Sequence, residues 1–185
     1  MPRVTPLSGR RAPLLARFAN RVARWRDGKE YLPIQVMAHN PRFIVPYVQM
    51  GAFAQGKIRL DPVVRRLAMQ LAGEINGCGW CSDYGAYLGR KARIAPEKLG
   101  AVMEYRTSPL FTPAERAALA FADEMTQVGG RVSDETFAEA RRWFGEREIV
   151  ELAAAVAAEN FFNRMNGALG VEEQGFCALP AAQPA

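Results

Sequence analysis

Residues 74–84, Glu74-Ile75-Asn76-Gly77-Cys78-Gly79-Trp80-Cys81-Ser82-Asp83-Tyr84, constrain this chain more than any other stretch. Leu67, Leu71 and Ile75 form an apolar stripe at helical spacing that stops at Asn76-Gly77, and a second helical pattern starts near Gly79 and runs to about Lys91. Two of the three cysteines, Cys78 and Cys81, fall on this break with C-x-x-C spacing. Thiols so spaced either close a short disulfide or share a soft metal ion. The rest of the chain reads as a scaffold that presents this pair.

The scaffold is helical. Leu14, Leu15, Phe18, Val22 and Trp25 recur at three and four residues, predicting an amphipathic helix over 12–26 that Gly28 ends. A short helix over 32–38 follows. His39-Asn40-Pro41 breaks the chain before a helix over 42–55, with Phe43, Tyr47, Met50 and Phe53 on one side. Asp61-Pro62 supplies an N-cap acid and a first-turn proline. Pro96 starts a helix through Met103, and Thr112-Pro113-Ala114-Glu115 has the form of a capping box. Ser133-Asp134-Glu135 starts the next helix, with Phe137, Trp143 and Phe144 on its apolar side. The longest run, Glu146 to Leu169, ends at Gly170. Strand signals and βαβ alternation are nearly absent, so the fold class is all-α: a compact multi-helix bundle with the C-x-x-C at a helix amino terminus.

At 185 residues the chain suits one domain with a core of its own. The expected organisation is a basic helical arm over 1–30, a helical domain over 31–170 and a tail over 171–185, loose at Pro180, Gln183 and Pro184. No apolar stretch is long enough to span a membrane. Neither a secretory signal nor a disulfide-rich pattern is evident, so a cytoplasmic location is expected, where a C-x-x-C pair is catalytic or metal-binding more often than structural. The net charge of +5 is uneven: residues 1–30 carry eight Arg or Lys against Asp27 and Glu30, a net of +6, leaving −1 for the remainder. Basicity confined to one arm argues against nucleic-acid binding by the domain. The arm also has the composition of an organellar transit peptide. The favoured reading is a helix packed on the domain or on a neighbouring subunit, against that of a solvated charged face.

LAGEINGCGWC (71–81), FTPAERAALAFADEMT (111–126) with VSDETFAEARRWFGEREIVELA (132–153), and ENFFNRMNGALG (159–170) occur in the order seen in the carboxymuconolactone decarboxylase and alkylhydroperoxidase D-like superfamily, which the chain resembles over roughly 30–170. His39-Asn40-Pro41 is similar to that family's helix break. The resemblance implies a helical unit that assembles into homo-oligomers, with the cysteine site near a subunit contact. It also implies a peroxide-attacking role for Cys81, with Cys78 as its resolving partner.

In alkylhydroperoxidase-like members a histidine four residues after the second cysteine and a glutamate about three helical turns before the first complete a proton relay. Those positions here hold Gly85 and Arg66. Arg66 is then a candidate for electrostatic stabilisation of a standing thiolate, helped by the amino terminus of the Cys81 helix; the plainer reading is a solvated helix residue. Asp83 and Tyr84 are candidates to supply a proton or hydrogen bond in place of the histidine, each alternatively a surface or packing residue. Glu74 would approach Cys78 only if its helix continued past Gly77. Trp80 walls the site or packs the core, and His39 reads as a structural histidine at a helix end. Asn160, Asn163 and Arg164 read as a structural run that bonds neighbouring helix ends. A zinc site needs two further ligands, and one histidine with a remote Cys177 makes a poor set, so neither metal nor cofactor is expected.

The expected function is a thiol-dependent antioxidant enzyme that reduces hydroperoxides through a Cys78–Cys81 dithiol/disulfide pair, restored by a dithiol reductant or redox partner protein. Alternatives are a lactone-decarboxylase-like lyase and a non-enzymatic redox-sensing or binding oligomer, the latter favoured by loss of both relay residues.

Overall fold

A computed structural model describes residues 1–178 and shows nine α-helices, two short 3₁₀ turns and no strand among those residues. The expected loose tail at Pro180, Gln183 and Pro184 lies outside the described residues. The helices are α1 (Leu14–Asp27), α2 (Leu32–Met37), α3 (Pro41–Gln55), α4 (Pro62–Ile75), α5 (Gly79–Lys91), α6 (Pro96–Gly100), α7 (Pro113–Thr126), α8 (Asp134–Trp143) and α9 (Glu146–Leu169). Their starts follow the capping chemistry. Asp61 accepts from the Val63 and Val64 amides at 2.8 and 3.1 Å, and Thr112 and Glu115 close a reciprocal capping box at α7. The helix expected over 96–103 divides into α6 and a 3₁₀ turn at Val102–Glu104.

Helix α4 is the central strut and packs against α5, α7 and α9. Its residues Val64 to Gly73 are buried without interruption, so it has no solvent face over nearly three turns. Leu67, Leu71 and Ala72 join Leu119, Ala122, Leu152 and Val156 in the main core. Each large side chain buried in this way contributes about 1.5–3 kcal/mol. The same helix also buries Arg65, Arg66 and Gln70, and these determine the interior chemistry described below.

Helix α1 lies on α2 and α3 in an orientation opposite to its hydrophobic pattern. Its buried residues are Ala16, Asn20, Ala23 and Asp27, whereas Phe18 is 66% and Trp25 86% exposed. Polar groups fix this orientation. The Asp27 carboxylate accepts from Arg26 Nε at 2.8 Å, Lys91 Nζ at 3.1 Å, Tyr84 Oη at 3.2 Å and also from Tyr31 Oη. Asn20 Oδ1 accepts the Tyr31 amide at 2.9 Å. Leaving so many donors unpaired inside the protein would cost more than exposing a few apolar side chains. Departures in the same direction occur elsewhere: Met50 and Phe53 on α3, and Phe137 and Trp143 of the α8 segment, stay more than a third exposed, while Ile44, Ala54 and Phe144 are buried.

The segment after α9 is pinned to α5 as far as it is described. The Asp83 carboxylate accepts backbone amides from Gln174 (3.0 Å), Phe176 (2.9 Å) and Cys177 (2.7 Å). Phe176 is wholly buried against Tyr84 and Tyr87. Among the described residues no helix is long and apolar enough to cross a membrane.

Asp27→Ala should destabilise the fold by about 3 kcal/mol at pH 7, because it strands two cations and two hydroxyls. Burial works against the Asp27 charge, but hydrogen bonds from Tyr31 and Arg26 prevail and hold its pKa below the ordinary carboxylate value. Its contribution is therefore complete above the unfolded-state pKa and lost as pH falls through the folded-state pKa. Urea unfolding of both proteins should show the gap narrowing in acid.

Candidate functional site

The turn between α4 and α5 creates the site. Gly77 takes a left-handed backbone (φ 62°), its amide bonds to the Glu74 carbonyl at 3.0 Å, and the Cys78 amide bonds to the Gly73 carbonyl at 3.0 Å. This is a Schellman termination, and the residue after the glycine becomes the N-cap of the next helix. Cys78 is therefore the N-cap of α5, and its sulfur accepts the Cys81 amide at 3.3 Å. The two cysteines form a disulfide with Cα atoms 5.2 Å apart. Both lie in the first turn of α5, where the helix dipole favours negative sulfur.

The cysteines differ in surroundings. Cys78 is 3% and Cys81 6% exposed, but only Cys81 lines a cavity of about 380 Å³ bounded by α1, α2, α3, α4, α5 and α9. The walls are mostly apolar and include Phe18, Ile44, Met69 and Phe162. Polar groups enter from Arg26, Tyr31, Arg66, Tyr84 and Glu159. Among the described residues no group of three or more His, Cys, Asp and Glu side chains converges in a way that would hold a metal ion.

Arg66 is 7% exposed and borders the cavity, which overturns its reading as a solvated residue. Burial lowers its pKa below the ordinary arginine value, and the Glu159 carboxyl opposes that effect. Glu159, 8% exposed, has its pKa pushed up to about 7 by burial, against the Asn163 hydrogen bond and the Arg66 charge. Gly85, at the position of the expected family histidine, also borders the cavity. A Cβ there would come within 2.4 Å of Gln70 Oε1, so any side chain would have to displace that amide.

The other candidates have different roles. Asp83 does not supply a proton: although burial opposes its charge, the amides of Cys177, Phe176 and Gln174 hold its pKa below the carboxylate range, and it anchors the chain after α9. Tyr84 lines the cavity, with its pKa pushed up to about 12 by burial and its hydroxyl engaged with Arg26, Tyr31 and Asp27. Glu74 faces away, accepting from Gln70 at 2.8 Å and bordering a separate groove. Trp80 Nε1 donates to Gln174 Oε1 at 2.7 Å, and the ring also walls the cavity. His39 is exposed and bonds to the Thr5 carbonyl at 2.9 Å. Cys177 is a free, exposed thiol. The asparagine run joins helix ends, since Asn76 Nδ2 donates to Asn160 Oδ1 and Asn163 Oδ1 at 3.0 Å each.

Two site residues, Glu159 and Asn166, were not singled out by the sequence reading. Asn166 is wholly buried, and its Nδ2 lies 3.4 Å from Cys81 Sγ and 3.9 Å from Cys78 Sγ. Asn163 Nδ2 donates to Glu159 Oε1 at 2.7 Å. Glu159, Asn163 and Asn166 stand at i, i+4 and i+7 and form a polar stripe on one face of an alanine-rich helix. That spacing was the available signal.

A family model described as "Carboxymuconolactone decarboxylase family" matches residues 47–124. The uncharacterized YnjA of Escherichia coli (strain K12) is 30% identical over 177 residues, 95% of this chain and 96% of that protein. The debrominase Bmp8 superposes with a TM-score of 0.83 at 26% identity, covering 95% of this chain and 94% of its own, and a cysteine-to-alanine variant of it has been crystallised in complex with 2,3,4-tribromopyrrole. An uncharacterized peroxidase-related protein from Ralstonia eutropha JMP134, with an alkylhydroperoxidase core, shares the fold at a TM-score of 0.81 and 19% identity, covering 98% of this chain and 100% of its own.

Ionising Glu159 inside the fold has an energetic cost. Between its unfolded-state pKa and about 7, the native state holds a proton that the unfolded chain has released, so stability falls as pH rises through that window. Glu159→Gln, which mimics the protonated form, should match the parent near pH 4 and exceed it by about 3 kcal/mol at pH 8 in denaturant titrations.

Proposed function

Because the chain belongs to the carboxymuconolactone decarboxylase family and has the fold of its alkylhydroperoxidase-like members, we propose that it is a thiol-dependent reductase of organic hydroperoxides. The observation that carries this reading is the asymmetry of the sulfurs: Cys81 opens on an apolar cavity and Cys78 sits behind it as the N-cap. In the reduced protein, the Cys81 thiolate attacks the terminal peroxide oxygen. The O–O bond breaks, the alkoxide takes a proton to leave as alcohol, and Cys81 becomes a sulfenic acid. The Cys78 thiol then displaces water to form the disulfide, and a dithiol reductant or redox partner protein restores the pair by thiol–disulfide exchange.

The thiolate is stabilised by the α5 amino terminus, the Asn166 amide and the field of Arg66. Arg66 acts at a distance: Gly73, whose ideal Cβ would lie 3.7 Å from Cys81 Cβ, is seven residues further along α4, about 10 Å by helical rise. A unit charge at that range and an effective dielectric of 20 is worth about 1.7 kcal/mol, roughly one pKa unit. Arg66→Met should therefore raise the Cys81 thiol pKa by about one unit in an iodoacetamide rate–pH profile. An unchanged profile would remove Arg66 from this role.

A second reading, reductive removal of halogen from a small aromatic ring, is favoured by the likeness to Bmp8 together with the aromatic and aliphatic walls of the cavity. Mass spectrometry decides between the two. Brief exposure of the reduced protein to stoichiometric cumene hydroperoxide should remove two protons, localised to Cys78–Cys81, with a persistent sulfenate in Cys78→Ser. Bromide release from 2,3,4-tribromopyrrole with inert behaviour towards peroxide would select the second reading.

We also propose that the chain works as a homo-oligomer in which a second copy covers the outer face of α1. Leu15, Phe18 and Val22 are at once exposed and part of the cavity wall, so such a contact would close the cavity mouth. Phe18→Glu combined with Trp25→Glu should shift the sedimentation coefficient to that of the monomer, and an unchanged coefficient would place the contact elsewhere.

A further inference from the structure

The polar end of the cavity is separated from the sulfur by the same distance on two helices. On α4, Arg66 lies seven residues before Gly73, which packs on Cys81. On α9, Glu159 lies seven residues before Asn166, whose amide touches Cys81 Sγ. Seven residues at 1.5 Å each make about 10 Å on both rulers. Arg66, Glu159 and Cys81 all border the one cavity, so a cation and a carboxyl that act on each other's charge stand about two helical turns from the sulfur. Between them on α5, one turn beyond Cys81, stands Gly85, which contributes no side chain to the space.

A buried arginine facing a carboxyl that is protonated for much of the physiological range leaves net positive charge in an apolar enclosure. Such charge is costly unless a ligand supplies the complement. Asn163 holds Glu159 Oε1, while Oε2 accepts no hydrogen bond among the described residues. We propose that this cavity binds a compact organic anion about one ring in length, with its carboxylate or similar acid group on Arg66 and Glu159 and its reducible atom directed past Gly85 at Cys81. The assignment of Cys81 as the reactive end rests on the proposed function; the anion site does not.

Protonated Glu159 donates to the ligand's anionic group while Arg66 pairs with it, whereas ionised Glu159 competes for Arg66 and repels the ligand. The charged and titratable groups that act on this pair are Arg65 on α4, Tyr47 on α3 and Tyr84 on α5, while Arg26 on α1 and Tyr31 just beyond α1 line the same cavity. Of these, Tyr47 and Tyr84 remain protonated below pH 9, with pKa values pushed above the ordinary tyrosine value by burial, and Tyr31 is likewise raised. Arg26 stays charged. Glu159 is thus the group that switches near neutrality, and anion affinity should weaken about tenfold between pH 6 and pH 8.

Isothermal titration of the full chain with 4-isopropylbenzoate and with neutral 4-isopropylbenzyl alcohol tests the site without any turnover. At pH 6 the carboxylate should bind at least tenfold more tightly than the alcohol. Arg66→Met should abolish that preference while keeping alcohol binding, and Glu159→Gln should keep it and remove the decline towards pH 8. Equal binding of acid and alcohol, no binding of either, or a preference that survives Arg66→Met would overturn the proposal. Inert thiols towards peroxide with the anion preference intact would refute the hydroperoxide reading and leave the anion site standing.

Discussion

Burial of α4 on every side is the constraint from which the rest of the site follows. A helix with a solvent face can turn its polar residues outward, but from Val64 to Gly73 this one has none. Arg65, Arg66 and Gln70 must therefore find interior partners or interior space. Arg65 reaches the Gly56 carbonyl at 2.5 Å, Gln70 bonds to Glu74 and Ser82 and occupies the ground in front of Gly85, and Arg66 opens on the cavity. The helix also has to stop inside the protein. Its Schellman turn at Gly77 delivers Cys78 as the cap of α5 and aims Cys81 into the chamber that Arg66 also borders.

The cysteine–histidine–glutamate relay that the family resemblance implies is not present in this chain, yet ionisable groups still line the cavity. The implied histidine position holds Gly85, with the Gln70 amide filling the ground in front of it, and the implied glutamate position holds Arg66, of opposite charge. A carboxyl returns from a different direction, on α9, where burial keeps Glu159 half-protonated near neutrality. Asn166, on the same face, brings its amide to the sulfur pair. Acid, cation and sulfur thus share one apolar enclosure, with the acid and the cation set about two helical turns back from the sulfur.

Helix limits were legible from the sequence because they are written locally. Asp61, Thr112 and Ser133 cap the helices they were expected to cap, and the predicted span of α9 is the observed one. The cysteine turn was legible for the same reason. Which face of α1 turns inward was not, because the Asp27 cluster draws partners from α5 and from Tyr31, and that polar network outweighs the stripe of Phe18 and Trp25. Arg66 and Glu159 were illegible as a pair since they are far apart in sequence and ordinary as residue types. Asp83 misled through its proximity to Cys81, since its role depends on backbone amides from the other end of the chain.

Cys78 is at once half of a disulfide and a helix cap, and the two duties are coupled. Its sulfur receives the Cys81 amide, and a sulfur carrying negative charge is a stronger acceptor than one spent in a disulfide. Oxidation therefore weakens the hydrogen bond that starts α5 at the moment it ties the turn shut covalently, and reduction does the reverse. The first turn of α5 is thus held twice in this structure, by the covalent tie and by the Cys81 amide on the Cys78 sulfur, and opening the tie would tighten the second hold as the first is lost.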